Sequence, residues 1–220
     1  MQQHPITKAI RTQTERTNEM EHSTPMFLTS SFVFDDAESM RAAFADETDD
    51  NIYSRFSNPS VKEFIDKVCA LEGAEAGVAT ASGMSAVFAS FMAFLKQGDH
   101  LLACNAVFGS THTIITKYLS KYGIAYSYLP VEATETEWKA AIRPNTKMIY
   151  LESPTNPGLD IVDLAMIGKI ANENKIILNV DNCFATPVCQ RPADFGADLV
   201  LHSATKWMDG QGRVLGGVVV

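Results

Sequence analysis

The chain has 220 residues, 46% of them hydrophobic and 20% charged, with a formal net charge of −8 and a pI near 5.1. This is the composition of a water-facing globular protein, and the acidic balance argues against a broad nucleic-acid surface. The opening MQQHPITKAI lacks the apolar core of a secretory signal, so a cytoplasmic location is expected. Cys69, Cys104, Cys183 and Cys189 form no CxxC pair, and the five histidines show no ligand spacing. Reduced, buried thiols and no metal are the expectation.

Residues 1–52 are rich in Thr, Ser, Glu and Asp around one apolar stretch, PMFLTSSFVF. They read as an extended arm that docks onto something else, or as a partly disordered terminus. From residue 60 the pattern turns regular. Ser60 and Glu63 read as a capping box opening a helix through Val61, Phe64, Ile65, Val68 and Leu71, which Gly73 stops. Residues 76–95 carry no charge and are long enough to span a bilayer. Thr80, Ser82, Gly83, Ser85 and Ser90 interrupt them, however, so a strand (GVATAS) turning into a core helix over 83–96 is expected. HLLACN is then a strand, Ile114 to Leu119 mark a helix ended by Gly123, and AYSYLP is a strand. Thr134 and Glu137 cap a helix carrying Trp138. TKMIYLE, KIILNVD and ADLVLHS are strands, with a helix over 163–173 between the first two, and GRVLGGVVV reads as a last strand.

Alternating strands and helices, with apolar runs through the strands, predict an α/β fold: a mostly parallel sheet with helices on both faces. In such sheets ligands sit outside the carboxyl ends of the strands. That rule selects Ser82-Gly83, Asn105 to Gly109, Glu152 to Asn156, Asp181-Asn182 and Ser203 to Lys206. Ser82-Gly83-Met84 opens a helix, whose free N–H groups suit a phosphate. Asp181 ends an apolar strand, where it either caps a turn or meets a buried cation such as a protonated ring nitrogen. SATKW sets Ser203, Thr205 and Lys206 side by side, which on spacing alone is equally a strand ending in a solvated turn. A buried ammonium is costly unless paired or used. Pyridoxal phosphate carries its aldehyde and its phosphate arm on adjacent ring carbons. A lysine joined to that aldehyde therefore lies near the phosphate's ligands, where Ser203 and Thr205 stand.

Taken in order, YSRFSNP, ASGMSA, ESPTNP, VDNCFATP and HSATKW resemble the cystathionine γ-synthase family of pyridoxal-phosphate enzymes of Cys/Met metabolism. The likeness runs from about Phe27 to the last residue. It implies an aspartate-aminotransferase-like (fold type I) large domain over 53–220, preceded by the arm, in a chain that stops at Val220 where family members run on into a C-terminal domain. It implies Lys206 as Schiff-base lysine and proton shuttle, and Asp181 on the pyridine nitrogen. The backbone at Gly83 and Met84, next to Ser82, would bind the phosphate together with Ser203 and Thr205. Tyr53, a second catalytic candidate, and Arg55 would reach the phosphate of a partner subunit in a homodimer or dimer of dimers. Asn156 would lie near the ring hydroxyl or the substrate carboxylate, with Glu152 less defined. Phe108 stands where most relatives stack a tyrosine, which keeps the stacking and loses the hydroxyl.

FLTSSFVFD, NAVFGSTH and HSATKWMDGQGRVLGG look most like the branch that joins sulfide to O-succinylhomoserine. The expected substrates are thus an acyl-homoserine and sulfide, with no nucleic acid and no membrane. A γ-synthase using cysteine, a γ-lyase, and a non-catalytic cofactor-binding piece stay open beside it. The 220 residues alone are expected to be poorly soluble and catalytically silent.

Overall fold

The computed structural model describes residues 3–220. Seven strands form one sheet: β1 (Val78–Thr80), β2 (His100–Cys104), β3 (Ala125–Leu129), β4 (Thr146–Glu152), β5 (Ile177–Asp181), β6 (Leu199–His202) and β7 (Gly217–Val219). Their order is β1-β7-β6-β5-β4-β2-β3. The pairs β6/β5, β5/β4, β4/β2 and β2/β3 are parallel, whereas β7 runs antiparallel to both β1 and β6. The sheet is therefore mostly parallel. The final strand is shorter than GRVLGGVVV suggests, because Arg213 to Gly216 form an irregular approach to it.

Central strands are apolar throughout because both faces are covered. Leu101 and Ala103 of β2 face Phe91 and Ile115, and Leu102 and Cys104 face Trp138 and Ile167. The first face carries α4 (Gly83–Phe94) and α5 (Gly109–Thr113), which runs on through a wider π turn to a 3-10 turn closed by left-handed Gly123. The second carries α3 (Pro59–Glu72), α6 (Glu135–Ala141) and α7 (Leu164–Asn174), with Val68 and Cys69 of α3 against Val200 and Val218. Each fully buried Leu, Ile or Phe contributes roughly 1.5–3 kcal/mol. The uncharged run 76–95 resolves into β1, a turn and α4, and no helix among the described residues is long and apolar enough to cross a membrane.

Two local expectations change. The cap of α3 is Asn58, whose side chain accepts from Ser60 N, with Pro59 in the first turn. The Ser60–Glu63 pair is not a capping box, because the N-terminal segment recruits both side chains. Ser60 Oγ accepts from Phe27 N, and Glu63 receives the Thr14 N–H, the Thr24 hydroxyl and Lys67. The arm is also not extended throughout. Pro5 starts α1 (Pro5–Arg11), and an Asp36–Ser39 capping box starts α2 (Ala37–Phe44). Three cysteines are buried as expected, but Cys189, at the end of the one-turn α8 (Thr186–Cys189), is exposed.

Candidate active site

The carboxyl ends of β4, β5 and β6 converge with the start of α4 on a cavity of about 390 Å³. Ser82 caps α4, its hydroxyl accepting from Ser85 N at 3.2 Å. This leaves the first-turn N–H groups of Gly83 and Met84 directed along the helix axis. Residue 83 must be glycine, since a Cβ there would lie 2.5 Å from Ser203 Cβ. That close approach sets the Ser203 hydroxyl beside the helix start. Thr205 lines the same wall. Its hydroxyl accepts from Gly216 N at 3.0 Å and donates to Gly216 O at 3.3 Å.

Lys206 also lines the cavity, but its residue is exposed rather than buried. Its ammonium is therefore not a buried charge, because the chain has left β6 and turned, with Lys206 N donating to Ser203 O.

The part of the lining that β4 and β5 supply is acidic. Glu152 and Asp181 are register partners on β4 and β5, so their carboxyl groups stand side by side. Glu152 is 4% exposed and, among the described residues, accepts only from Phe108 N, at 2.9 Å. Burial and the neighbouring Asp181 push its carboxyl up to about 8. Burial also raises Asp181, partly countered by the Cys183 N–H, His202 and the Tyr150 hydroxyl at 3.5 Å. Asp181 Oδ1 therefore does cap the turn into Cys183, while among the described residues Oδ2 has only the distant Tyr150. Neither acid makes an ion pair among the described residues.

Phe108 and Asn156 complete the lining from the loops after β2 and β4. The Asn156 loop is tied by Thr155 N donating to Asp160 O and Thr155 Oγ1 to Asp160 Oδ2. Tyr53 and Arg55 do not line the cavity. They sit on the arm side, with the Arg55 guanidinium 4.6 Å from the Phe56 ring centre and 5.5 Å from that of Tyr53.

Val87, Cys183, Phe184 and Leu215 line the cavity without having been singled out from sequence. Cys183 and Phe184 follow Asp181 and Asn182 in the strand-end motif, so position alone could have found them. Burial, with Asp181 adding to it, pushes the Cys183 thiol up to about 11, which keeps it neutral.

The cavity thus has an anion-accepting pole at Gly83, Met84 and Ser203, an acidic pole at Asp181 and Glu152, and one amine. These residues fit pyridoxal phosphate, whose phosphate and ring nitrogen lie at opposite ends and whose aldehyde takes a lysine. A model of the Cys/Met metabolism PLP-dependent enzymes matches residues 6–220. The O-succinylhomoserine sulfhydrylase of Pseudomonas aeruginosa is 49% identical over 97% of this chain and 53% of its own. The L-methionine gamma-lyase of Porphyromonas gingivalis is 41% identical over 90% of this chain and 50% of its own. Among solved structures, a Campylobacter jejuni chain assigned as an O-acetylhomoserine (thiol)-lyase superposes with a TM-score of 0.92 at 31% identity. It covers 98% of this chain and 53% of its own, and it contains N'-pyridoxyl-lysine-5'-monophosphate. The chain spans about half the length of the curated relatives it matches. With matching fold, motifs and cavity chemistry, it belongs to the pyridoxal-phosphate-dependent enzymes of Cys/Met metabolism.

Proposed function

We propose that this cavity holds pyridoxal phosphate within the cofactor-binding part, residues 53–220, of an enzyme acting on an acyl-homoserine. The observation that carries the reading is the cavity's two poles with Lys206 at its edge. When bound, the cofactor supplies an electron sink that makes the Cα proton of an attached amino acid removable.

Lys206 would hold the cofactor's aldehyde through Nζ, and the same amine would take the Cα proton of a bound substrate. Asp181 acts as a carboxylate toward the ring nitrogen. Gly83 and Met84 donate backbone N–H groups to the phosphate, and Ser203 adds its hydroxyl. Thr205 joins them if its proton turns away from Gly216 O. Phe108 stacks on the ring without offering an acid or base. Asn156 meets the ring hydroxyl or the substrate carboxylate. Tyr53 and Arg55, which lie outside this cavity, serve the phosphate of a second copy, and the assembly is a dimer or a dimer of dimers.

The reaction proposed is O-succinylhomoserine plus sulfide to homocysteine plus succinate. Its support is the 49% identity to the Pseudomonas sulfhydrylase. Because the Porphyromonas relative is a methionine γ-lyase, γ-elimination is the second reading. The phenylalanine at position 108 favours the first, because it lacks a hydroxyl to protonate a leaving sulfur. The test offers the purified holoenzyme O-succinyl- or O-acetylhomoserine with sulfide or cysteine, and methionine separately. Homocysteine and succinate should dominate; mainly cystathionine, or thiol release from methionine, overturns the assignment.

A further inference from the structure

A buried polar cluster adjoins the cavity's lining residues along the chain and takes no part in the roles above. Glu72, the last residue of α3, and His202, the last of β6, are 0% and 1% exposed. His202 Nε2 and Glu72 Oε1 are 2.5 Å apart, and Asn182 Nδ2 donates to the same oxygen at 2.9 Å. Glu72 Oε2 and His202 Nδ1 have no hydrogen-bond partner among the described residues. The cluster touches the site through the chain itself, since His202 precedes Ser203 and Asn182 follows Asp181. A carboxylate buried this deeply is tolerated only when its charge is matched.

We infer that Glu72 and His202 form a buried ion pair whose imidazolium keeps Asp181 a carboxylate, making both residues positioning residues for the ring nitrogen. The inference rests on the cofactor assignment above. The charge on His202 acts on Asp181 against the effect of burial. Among the described residues, Arg191 is a further charged group at the cluster; its Nε donates to the Glu72 carbonyl while its guanidinium pairs with Asp194. Arg191 is thus engaged with the backbone and its own neighbour. A purely mechanical role, tying α3 to the sheet, would use the same contacts. Only the charge distinguishes the two.

Glu72→Gln keeps the shape and removes the counter-charge, so the proposed imidazolium, left buried without a partner, gives up its proton and its charge no longer faces Asp181. With Asp181 less ionised, the ring nitrogen loses its proton and pulls less on the nitrogen linked to Lys206. In the holoenzyme the pH midpoint of the shift between visible and near-ultraviolet absorption should then rise by about one unit, with borohydride still trapping cofactor on Lys206. A midpoint unchanged from the parent, with trapping intact, overturns the ion pair and leaves the cofactor assignment standing. Absence of trapping in the parent itself overturns both. If Glu72→Gln does not fold, nitrogen-15 spectra of His202 in the unaltered, cofactor-free protein decide the matter. Protons on both ring nitrogens at neutral pH support the pair, and a neutral ring overturns it.

Discussion

The sheet and the N-terminal segment are held together by different physics. In the sheet, β2 and β4 are buried almost residue for residue, and their neighbours are apolar side chains from helices on both faces. The segment up to Asn58 is attached to the body by polar ties: Thr14 and Thr24 to Glu63, Phe27 to Ser60 and Asn58, and Lys8 to the Ala70 carbonyl. Ala43 is buried and Phe27, Phe32 and Phe34 are half-buried, but many of its apolar side chains face outward, with Leu28 87% and Val33 96% exposed. One region spends its apolar residues on its own core, and the other displays many of them. The displayed set suits a second surface, as the proposed dimer requires.

The largest expected effect breaks the sheet side of this contrast at its chemistry. Lys206→Ala should abolish borohydride-trapped cofactor and turnover in the holoenzyme, read by mass spectrometry of the trapped peptide. Trapping that persists at another lysine refutes the assignment.

A core substitution should separate the two regions by stability. Trp138→Ala, at a side chain 1% exposed, should cost about 3–5 kcal/mol in denaturant unfolding. Val33→Ser should stay within about 0.5 kcal/mol for the single chain while weakening association in sedimentation. Equal destabilisation by both would erase the distinction.

A smaller effect comes from Glu152. Its carboxyl is raised in the folded state to about 8, so its stabilising proton is fully in place below the ordinary carboxylate range. That contribution is lost as pH rises through about 8. The cofactor-free protein should therefore lose stability across this window, and Glu152→Gln should flatten the profile. An identical slope in the variant would show that other groups set it.

The smallest effect concerns the arm's anchor. Burial pushes Glu63 up, but Lys67, the Thr24 hydroxyl and the Thr14 N–H more than offset this, and its carboxyl lies below its ordinary value. The tie is whole above the unfolded carboxylate range and fails as pH falls through the lowered folded value. Limited proteolysis between Thr14 and Thr24 should accelerate at acid pH, and Glu63→Gln should bring that behaviour to neutral pH. Cleavage rates independent of both would mean that the arm is held by something else.

The same contrast explains what could be read from sequence. Strands buried on both faces announce themselves as unbroken apolar runs, so HLLAC and TKMIYLE were legible, and the rule that ligands gather at strand ends located the cavity. The Thr134–Glu137 capping box was legible because it is closed within four residues. Ser60 and Glu63 carry the same pattern, yet long-range contacts with the arm claim both side chains. Nothing local could show that Arg213 to Gly216 turn β7 antiparallel, or that Lys206 stands exposed at the edge. The Glu72–His202 contact joins residues 130 positions apart, and no periodicity encodes such a meeting.

The position of β7 between β1 and β6 has a consequence for how the chain is made. β1 is an early strand, yet its ladder is with β7, where Thr80 is matched to Gly217. During synthesis from the N-terminus, Val78 to Thr80 must wait, unpaired, while all five strands of the parallel ladder, β2 to β6, emerge. Closing so long a loop adds little entropy beyond a shorter one, but it delays the reward of pairing. The strand that feeds Gly83 into the cavity is thus among the last to be fixed. In pulse-labelled hydrogen exchange during refolding, the β1 amides should gain protection in step with those of β7, after β2 and β4.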